Sequence, residues 1–201
     1  MGQHHRNIQP STGSGGDYWI SSLSAISKIY RSDEMNFLDE KIEFLQEKIV
    51  DGADKRINDM YQRNITFLEG FKGFDFQKIK PSEDLIYHKK DESKSVLDIN
   101  GLKVKVMPNH LFSYTNNQNA EIGAIWFVAK LGGYKKDELG MFTDLLFRYL
   151  TKHFSSAYSV NPEHCIAIDI SKLEEVRYSE IESGNVPILI DRTIEGIQKI
   201  L

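Results

Sequence analysis

Apolar residues recur along the first third of the chain at helical spacing. Trp19, Leu23, Ile26 and Tyr30 predict a short amphipathic helix over residues 18–30, with Asp17 ahead of it as N-cap. Ser32 is placed to cap a second helix, with Asp33 and Glu34 in its first turn, where acidic side chains suit the macrodipole. Leu38, Ile42, Leu45 and Ile49 form its stripe, Gly52 offers a break, and Ile57, Met60, Tyr61, Ile65 and Leu68 resume the pattern. A helical hairpin and one long kinked helix fit this stretch equally well.

The rhythm then changes. Residues 74–90 are irregular, with short extended pieces around Phe76–Ile79 and Leu85–His88 and a break at Pro81. Leu102, Val104 and Val106 alternate with Lys103, Lys105 and Met107, the period of a strand with one covered face. From Ile122 to Ala129 both parities are apolar or small, as in a central strand covered on both faces. Asn116, Asn117, Gln118 and Asn119 supply the turn between them, so residues 102–130 read as a long antiparallel hairpin. Asn100-Gly101 suits a type I′ turn and pairs strand 95–99 with that hairpin, giving three antiparallel strands in sequence.

After Gly132-Gly133 helical spacing returns. Leu139, Phe142, Leu145, Leu146, Tyr149, Leu150 and Phe154 predict a helix over 135–154, and Gly140 inside it implies close packing of that turn against another backbone. A buried strand from His164 to Ile170 and a short exposed one from Glu175 to Tyr178 follow. Pro187 is placed to open a last helix with Ile190, Ile194, Ile197 and Leu201 on its buried face. The expected fold is α+β: an N-terminal helical arm, a central, mostly antiparallel sheet with a long hairpin, a crossover helix, further strands and a C-terminal helix. The expected divisions are a flexible lead-in over 1–16, the arm over 17–73 and a core domain over 74–201.

Composition narrows the function classes. A net charge of -4 argues against a constitutive, charge-driven nucleic-acid binder but leaves room for a local basic face. The single cysteine, Cys165, excludes an intramolecular disulfide and fits a reducing, cytoplasmic compartment. No apolar run is long enough to span a bilayer, and the polar start does not read as a signal peptide. The fragment TGSGGD is not a phosphate loop, because no strand precedes it and no Lys-Ser or Lys-Thr follows the glycines.

The order of a leading helix, three antiparallel strands, a crossover helix and a further strand resembles the restriction-endonuclease-like, or PD-(D/E)XK, superfamily. The segments NIQPSTGSGGDYW, VKVMPNHLF, IGAIWFVAK and EHCIAIDI resemble poorly characterised bacterial proteins near that superfamily. The resemblance implies a strand-end acid and an acid-x-Lys on the neighbouring strand, together holding a divalent metal that activates water at a phosphate. It places Pro108-Asn109 at the first motif and Ala124 to Lys130 at the second. Asn109 is neutral, and Val128 stands two positions before Lys130, so the acid-x-Lys is missing. A degenerate, nucleic-acid-associated or assembly component of genome defence is the expectation, with no cofactor. The alternatives are an active Mg²⁺ nuclease with carboxylates from displaced positions such as Glu121 and Asp169, or a protein-interaction module that uses the N-terminal helices.

The catalytic candidates are therefore Asn109, Glu121, Lys130 and Asp169, the last because an ionised carboxylate in a buried strand needs a partner. Lys103, Lys105, Lys130, Lys135 and Lys136 are the candidates for contact with a phosphate backbone, with a solvated sheet face as the plain alternative. His110 reads as packed or solvated, Cys165 as core, and Trp126 and Phe127 as core in preference to base-stacking. Glu163, His164 and Cys165 are adjacent, but alternate strand residues face opposite ways and do not share a site. The helical stripes carry more apolar surface than one sheet face obviously needs. Either the arm folds back on the sheet or it buries against a protein partner or a second copy, and the second outcome is favoured.

Overall fold

The computed structural model describes residues 17–81 and 84–200, so the readings of residues 1–16 and of Leu201 lie outside the described residues. Three helices come first: α1 (Ile20–Ser32), α2 (Asn36–Gln46) and α3 (Lys55–Phe71). Ser32 is the last residue of α1 and does not cap α2. The chain turns at Asp33, whose φ of 59° is left-handed and whose N–H closes onto the Ile29 carbonyl at 2.8 Å. Gly52 separates α2 from α3, and Asp54 caps α3 by accepting from the Arg56 N–H at 2.8 Å, which settles the alternatives in favour of the hairpin.

The strands are β1 (Ile86–His88), β2 (Val96–Ile99), β3 (Leu102–Lys105), β4 (His110–Asn116), β5 (Asn119–Val128), β6 (Ser159–Asp169) and β7 (Glu174–Arg177). The remaining helices are α4 (Lys136–Phe154), α5 (Tyr178–Glu182) and α6 (Ile190–Gln198). The main sheet runs β1-β4-β5-β6-β7, antiparallel throughout except for the β5–β6 pair, whose parallel alignment follows from the crossover through α4. The mixed, mostly antiparallel α+β architecture read from the sequence is present.

The pairing of strand 95–99 differs from the expectation. β2 pairs with β3 around Asn100-Gly101, both at positive φ, but this ribbon forms a separate two-stranded sheet. Pro108 is the physical reason: it lacks an N–H and ends the ladder, so the central hairpin begins only at His110. Its turn is Asn117-Gln118, with φ of 47° and 70°, the two left-handed residues of a tight hairpin. The third antiparallel strand of the main sheet is the short β1, which lies against β4.

Helices cover both faces of the sheet. Ile26, Ile29, Tyr30, Leu38, Leu45, Ile65, Leu68 and Phe71 bury against Phe112, Phe127, Ile166 and Ile168, so the arm folds back and becomes one layer of the core. On the other face Leu145, Leu146, Tyr149 and Leu150 of α4, Ile190 and Ile194 of α6, and Leu97, Ile99 and Val106 of the ribbon region meet Leu111, Ile122, Ala124 and Cys165. Gly140 is required where suspected, although its neighbour is a side chain: a Cβ there would lie 2.6 Å from Val186 Cγ1. With Val186 held in that gap, α6 starts at Ile190, three residues after Pro187, and Ile197 is left 40% exposed instead of joining the buried face.

Candidate functional site

Asn109, Lys130 and Asp169 come together at one end of the sheet, where parallel strands β5 and β6 finish and open α/β sheets commonly bind ligands. Each has a local cause for its position. The Asn109 N–H donates to the Ile125 carbonyl at 2.9 Å, and its Oδ1 accepts from the Phe127 N–H at 2.8 Å, extending the β4–β5 ladder by one residue past His110. The side-chain oxygen that would face a metal is occupied by the main chain.

Asp169 is fully buried and its carboxylate is saturated by local donors. Oδ2 accepts from the Tyr134 N–H at 2.5 Å, and Oδ1 accepts from the Ser171 N–H at 2.8 Å and the Ser171 hydroxyl at 2.6 Å. It therefore ties the end of β6 to the loop that leads into α4. Main-chain dipoles supply the stabilisation that its burial demands.

Lys130 leaves β5 and pairs with Glu138 at 3.1 Å, its ammonium 5.2 Å from the Tyr134 ring centroid. Glu138 also accepts from the Lys135 N–H at 2.9 Å, so one carboxylate caps α4 and holds Lys130. That N–H and the lysine together depress its pKa. Lys136 is paired with Glu180 of α5. Lys130, Lys135 and Lys136 thus share the mouth of the sheet with the N-terminus of α4. Lys103 and Lys105 point outward from the ribbon, whose inner residues Leu102 and Val104 pack on the α4 side. Val106, next to Lys105, lies beside Tyr149, and Tyr149 is about 20 Å along α4 from Lys136 at 1.5 Å per residue. The five lysines do not form one surface.

Glu121 is elsewhere. It stands opposite Tyr114 near the hairpin turn, whereas Asp169 pairs with Val128. The rise from Glu121 to Val128 along β5 is about 23 Å. No single ion could bridge Glu121 and Asp169. Around Glu121 is a network that the sequence pattern does not reveal: Tyr114 Oη donates at 2.7 Å, Asn161 Nδ2 at 2.5 Å and Asn116 Nδ2 at 3.2 Å. Partial burial works to raise the Glu121 pKa, but these donors outweigh it and hold the carboxyl below its ordinary value. Asn161 reaches it because β6 bulges: Val160 pairs with Ile122 and Cys165 with Ala124, leaving residues 161–164 opposite Gly123 alone. Only glycine fits there, as a Cβ would come within 2.6 Å of the His164 carbonyl oxygen.

The lesser candidates resolve by packing. Phe127 is core beside Tyr30, and Trp126 packs edge-on against Phe142 of α4. Cys165 is fully buried on the α4 face, where burial pushes its thiol pKa well up, and His164 lies on the opposite side beside Tyr114. His110 is bound under α1, its Nε2 2.8 Å from both the Ser27 carbonyl and hydroxyl oxygens, with its ring stacked on Tyr30. Burial, reinforced by Lys90, Arg31 and Lys80, lowers its pKa to about 4 despite the bond to Ser27. Among the described residues no group of three or more His, Cys, Asp or Glu side chains is arranged to hold a metal ion, and no helix is long and apolar enough to cross a membrane.

No protein-family model matches the chain, and no curated protein or solved structure was found to be similar to it.

Proposed function

We propose that this chain is a non-catalytic relative of the restriction-endonuclease-like group that acts in the cytoplasm by association, resting an anionic nucleic-acid backbone on the sheet mouth formed by residues 130–136. The order α3, β1, β4, β5, α4, β6 supports the reading: a leading helix, three antiparallel strands, a crossover helix and a further strand. A role in genome defence rests on the resemblance alone.

The observation that carries the non-catalytic half is the use of the side-chain oxygens. Asn109 and Asp169, the polar groups nearest the expected metal position, spend them on main-chain amides and Ser171, and Val128 stands where the acid of an acid-x-Lys belongs. The binding half rests on Lys130, Lys135 and Lys136 around the positive end of a 19-residue helix. Glu138 and Glu180 already occupy two of these lysines. The affinity expected is therefore weak and steeply salt dependent.

Incubation with single- and double-stranded DNA and RNA in Mg²⁺ or Mn²⁺ tests the first half, and the expected result is intact substrate. Titration at several salt concentrations tests the second. Replacing Lys130, Lys135 and Lys136 by Gln should flatten the salt slope by about 0.9 for each duplex phosphate that is no longer neutralised. The Lys103→Gln, Lys105→Gln pair should leave it unchanged. Cleavage abolished by Asp169→Asn, or binding indifferent to the triple substitution, defeats the proposal.

A further inference from the structure

Folding α1 to α3 onto the sheet buries most of their apolar stripes, Ile57 excepted, and leaves a groove on the outside, between α1 and α2. Its walls are Ser24, Ala25 and Lys28 from α1 and Phe37, Glu40 and Lys41 from α2. The Lys28 ammonium lies 3.0 Å from the Phe37 ring centroid. Further along α2, Phe44 is 46% exposed, with the ammonium groups of Lys41 and Lys48 at 4.7 and 5.1 Å from its centroid. An aromatic ring that size, left in water beneath two cations, is not explained by the packing of the chain itself.

Among the described residues no anion is paired with these cations. Lys72, Lys80, Lys130 and Lys136 each have a carboxylate within 4.0 Å, whereas among the described residues Lys28, Lys41 and Lys48 have none. Glu40 in the groove wall accepts instead from Asn36 at 3.0 Å, and Asp39, on another side of α2, is taken by Lys72. The groove is a row of cations seated on rings, and among the described residues no carboxylate pairs with them.

We propose that the α1–α2 groove docks an acidic segment of another protein, its carboxylates pairing with Lys28, Lys41 and Lys48 and its apolar side chains covering Phe37 and Phe44. Charge complementarity selects this occupant. A nucleic-acid strand carries a continuous negative charge and would run alongside the exposed Glu43 and Glu47 of α2. A peptide can put carboxylates opposite the lysines and neutral or basic groups opposite the glutamates. The Lys41 and Lys48 ammonium groups lie 4.7 and 5.1 Å from the same ring centroid and so are at most about 10 Å apart, a span that carboxylates at i and i+7 of a partner helix can reach. The lysines keep their places over the rings while pairing, so binding needs no rearrangement. The inference is independent of the nucleic-acid reading above, because it uses a different face of the molecule.

The test uses the full chain and a labelled helical peptide with Glu at i and i+7 and Leu between, followed by fluorescence anisotropy. The Glu peptide should bind roughly tenfold more tightly than its Gln counterpart, and Lys41→Glu with Lys48→Glu should remove that preference. A peptide with Lys at the same two positions should bind the charge-reversed protein better than the natural one, a gain that misfolding could not produce. Phe44→Ala, which leaves the charges intact, should weaken the Glu peptide several-fold. Equal binding of the Glu and Gln peptides, or indifference to charge reversal, overturns the proposal. So does an oligothymidylate that binds this chain and is lost on charge reversal while the Glu peptide is not, which would make the groove a nucleic-acid surface.

Discussion

The two ends of the central sheet hold their polar residues in opposite ways. At the end where β5 and β6 finish, Asn109 and Asp169 direct side-chain oxygens mainly at main-chain amides, so the groups are fixed by the path of the backbone. At the hairpin end, Glu121 is held by the side chains of Tyr114, Asn116 and Asn161. The first arrangement is part of the fold; the second decorates it. A buried carboxylate tied to main-chain amides is expensive to remove, because its loss leaves those N–H groups without the acceptor that the backbone path gives them, whereas side-chain donors at a half-exposed site can turn to water.

The largest effect should follow from Asp169→Ala, which orphans the Tyr134 and Ser171 amides at a fully buried position. A loss of about 3 to 5 kcal/mol in urea unfolding is expected, with Asp169→Asn recovering part of it. A loss near zero would mean that the carboxylate is dispensable for the fold and free for other use.

Beside Asn109, His110 makes the same end of the sheet sensitive to acid. Its pKa falls from 6.5 in the unfolded chain to about 4 in the folded one. The stability this contributes is complete above pH 6.5 and is lost as pH falls through that value toward 4. The amount is about 3 kcal/mol at about 1.4 kcal/mol per pH unit, an upper figure for a group that is not fully enclosed. Urea unfolding at pH 7.5 and about pH 4 should show this drop, and His110→Gln should flatten it by a similar amount. Glu121 should act only at lower pH, since its depressed pKa makes its contribution present above about 4.5 and lost below.

Asn109 sharpens the comparison in a different way. Asn109→Ala should cost about 1 to 2 kcal/mol through the unpaired Phe127 amide. Asn109→Asp keeps an acceptor in place and restores the acid of the resembled pattern. It should fold nearly as well as the natural chain and still fail to cut DNA in Mg²⁺. Cleavage by that variant would show that a single residue separates this protein from activity.

At the hairpin end the change should be small. Glu121→Gln can keep part of the donor set, and a shift within about 1 kcal/mol is expected. A loss as large as that of Asp169→Ala would erase the distinction between the two ends.

Much of this arrangement is legible in the sequence. The helix 136–154, the turn at Asn117-Gln118 and the doubly covered β5 follow from periodicity, and Asp169 stands out as an acid within an apolar strand. The residues facing Glu121 are legible in principle, because counting back from the hairpin turn puts Tyr114 opposite it. Asn161 is not, since its approach depends on a bulge that no local pattern marks. The partners of Asp169 are backbone amides, and every residue but proline has one, so nothing distinguishes Tyr134 or Ser171 in the sequence. The ribbon is misplaced by pattern alone because the alternation through Val106 looks continuous with β4, and only the break at Pro108 separates them. The burial of His110 depends on α1, more than 80 residues earlier.

The helices α1 to α3 are complete by Phe71, yet the surface they bury against is built from strands that end at Asp169. A ribosome adding about 5 to 20 residues per second needs roughly 5 to 20 s to supply those strands. Through that interval the sheet that covers Ile26, Leu45 and Phe71 is incomplete. The nascent chain thus passes through a stage at which it is sticky, and its yield in the cell should depend on how quickly β6 is made as much as on the stability of the finished fold.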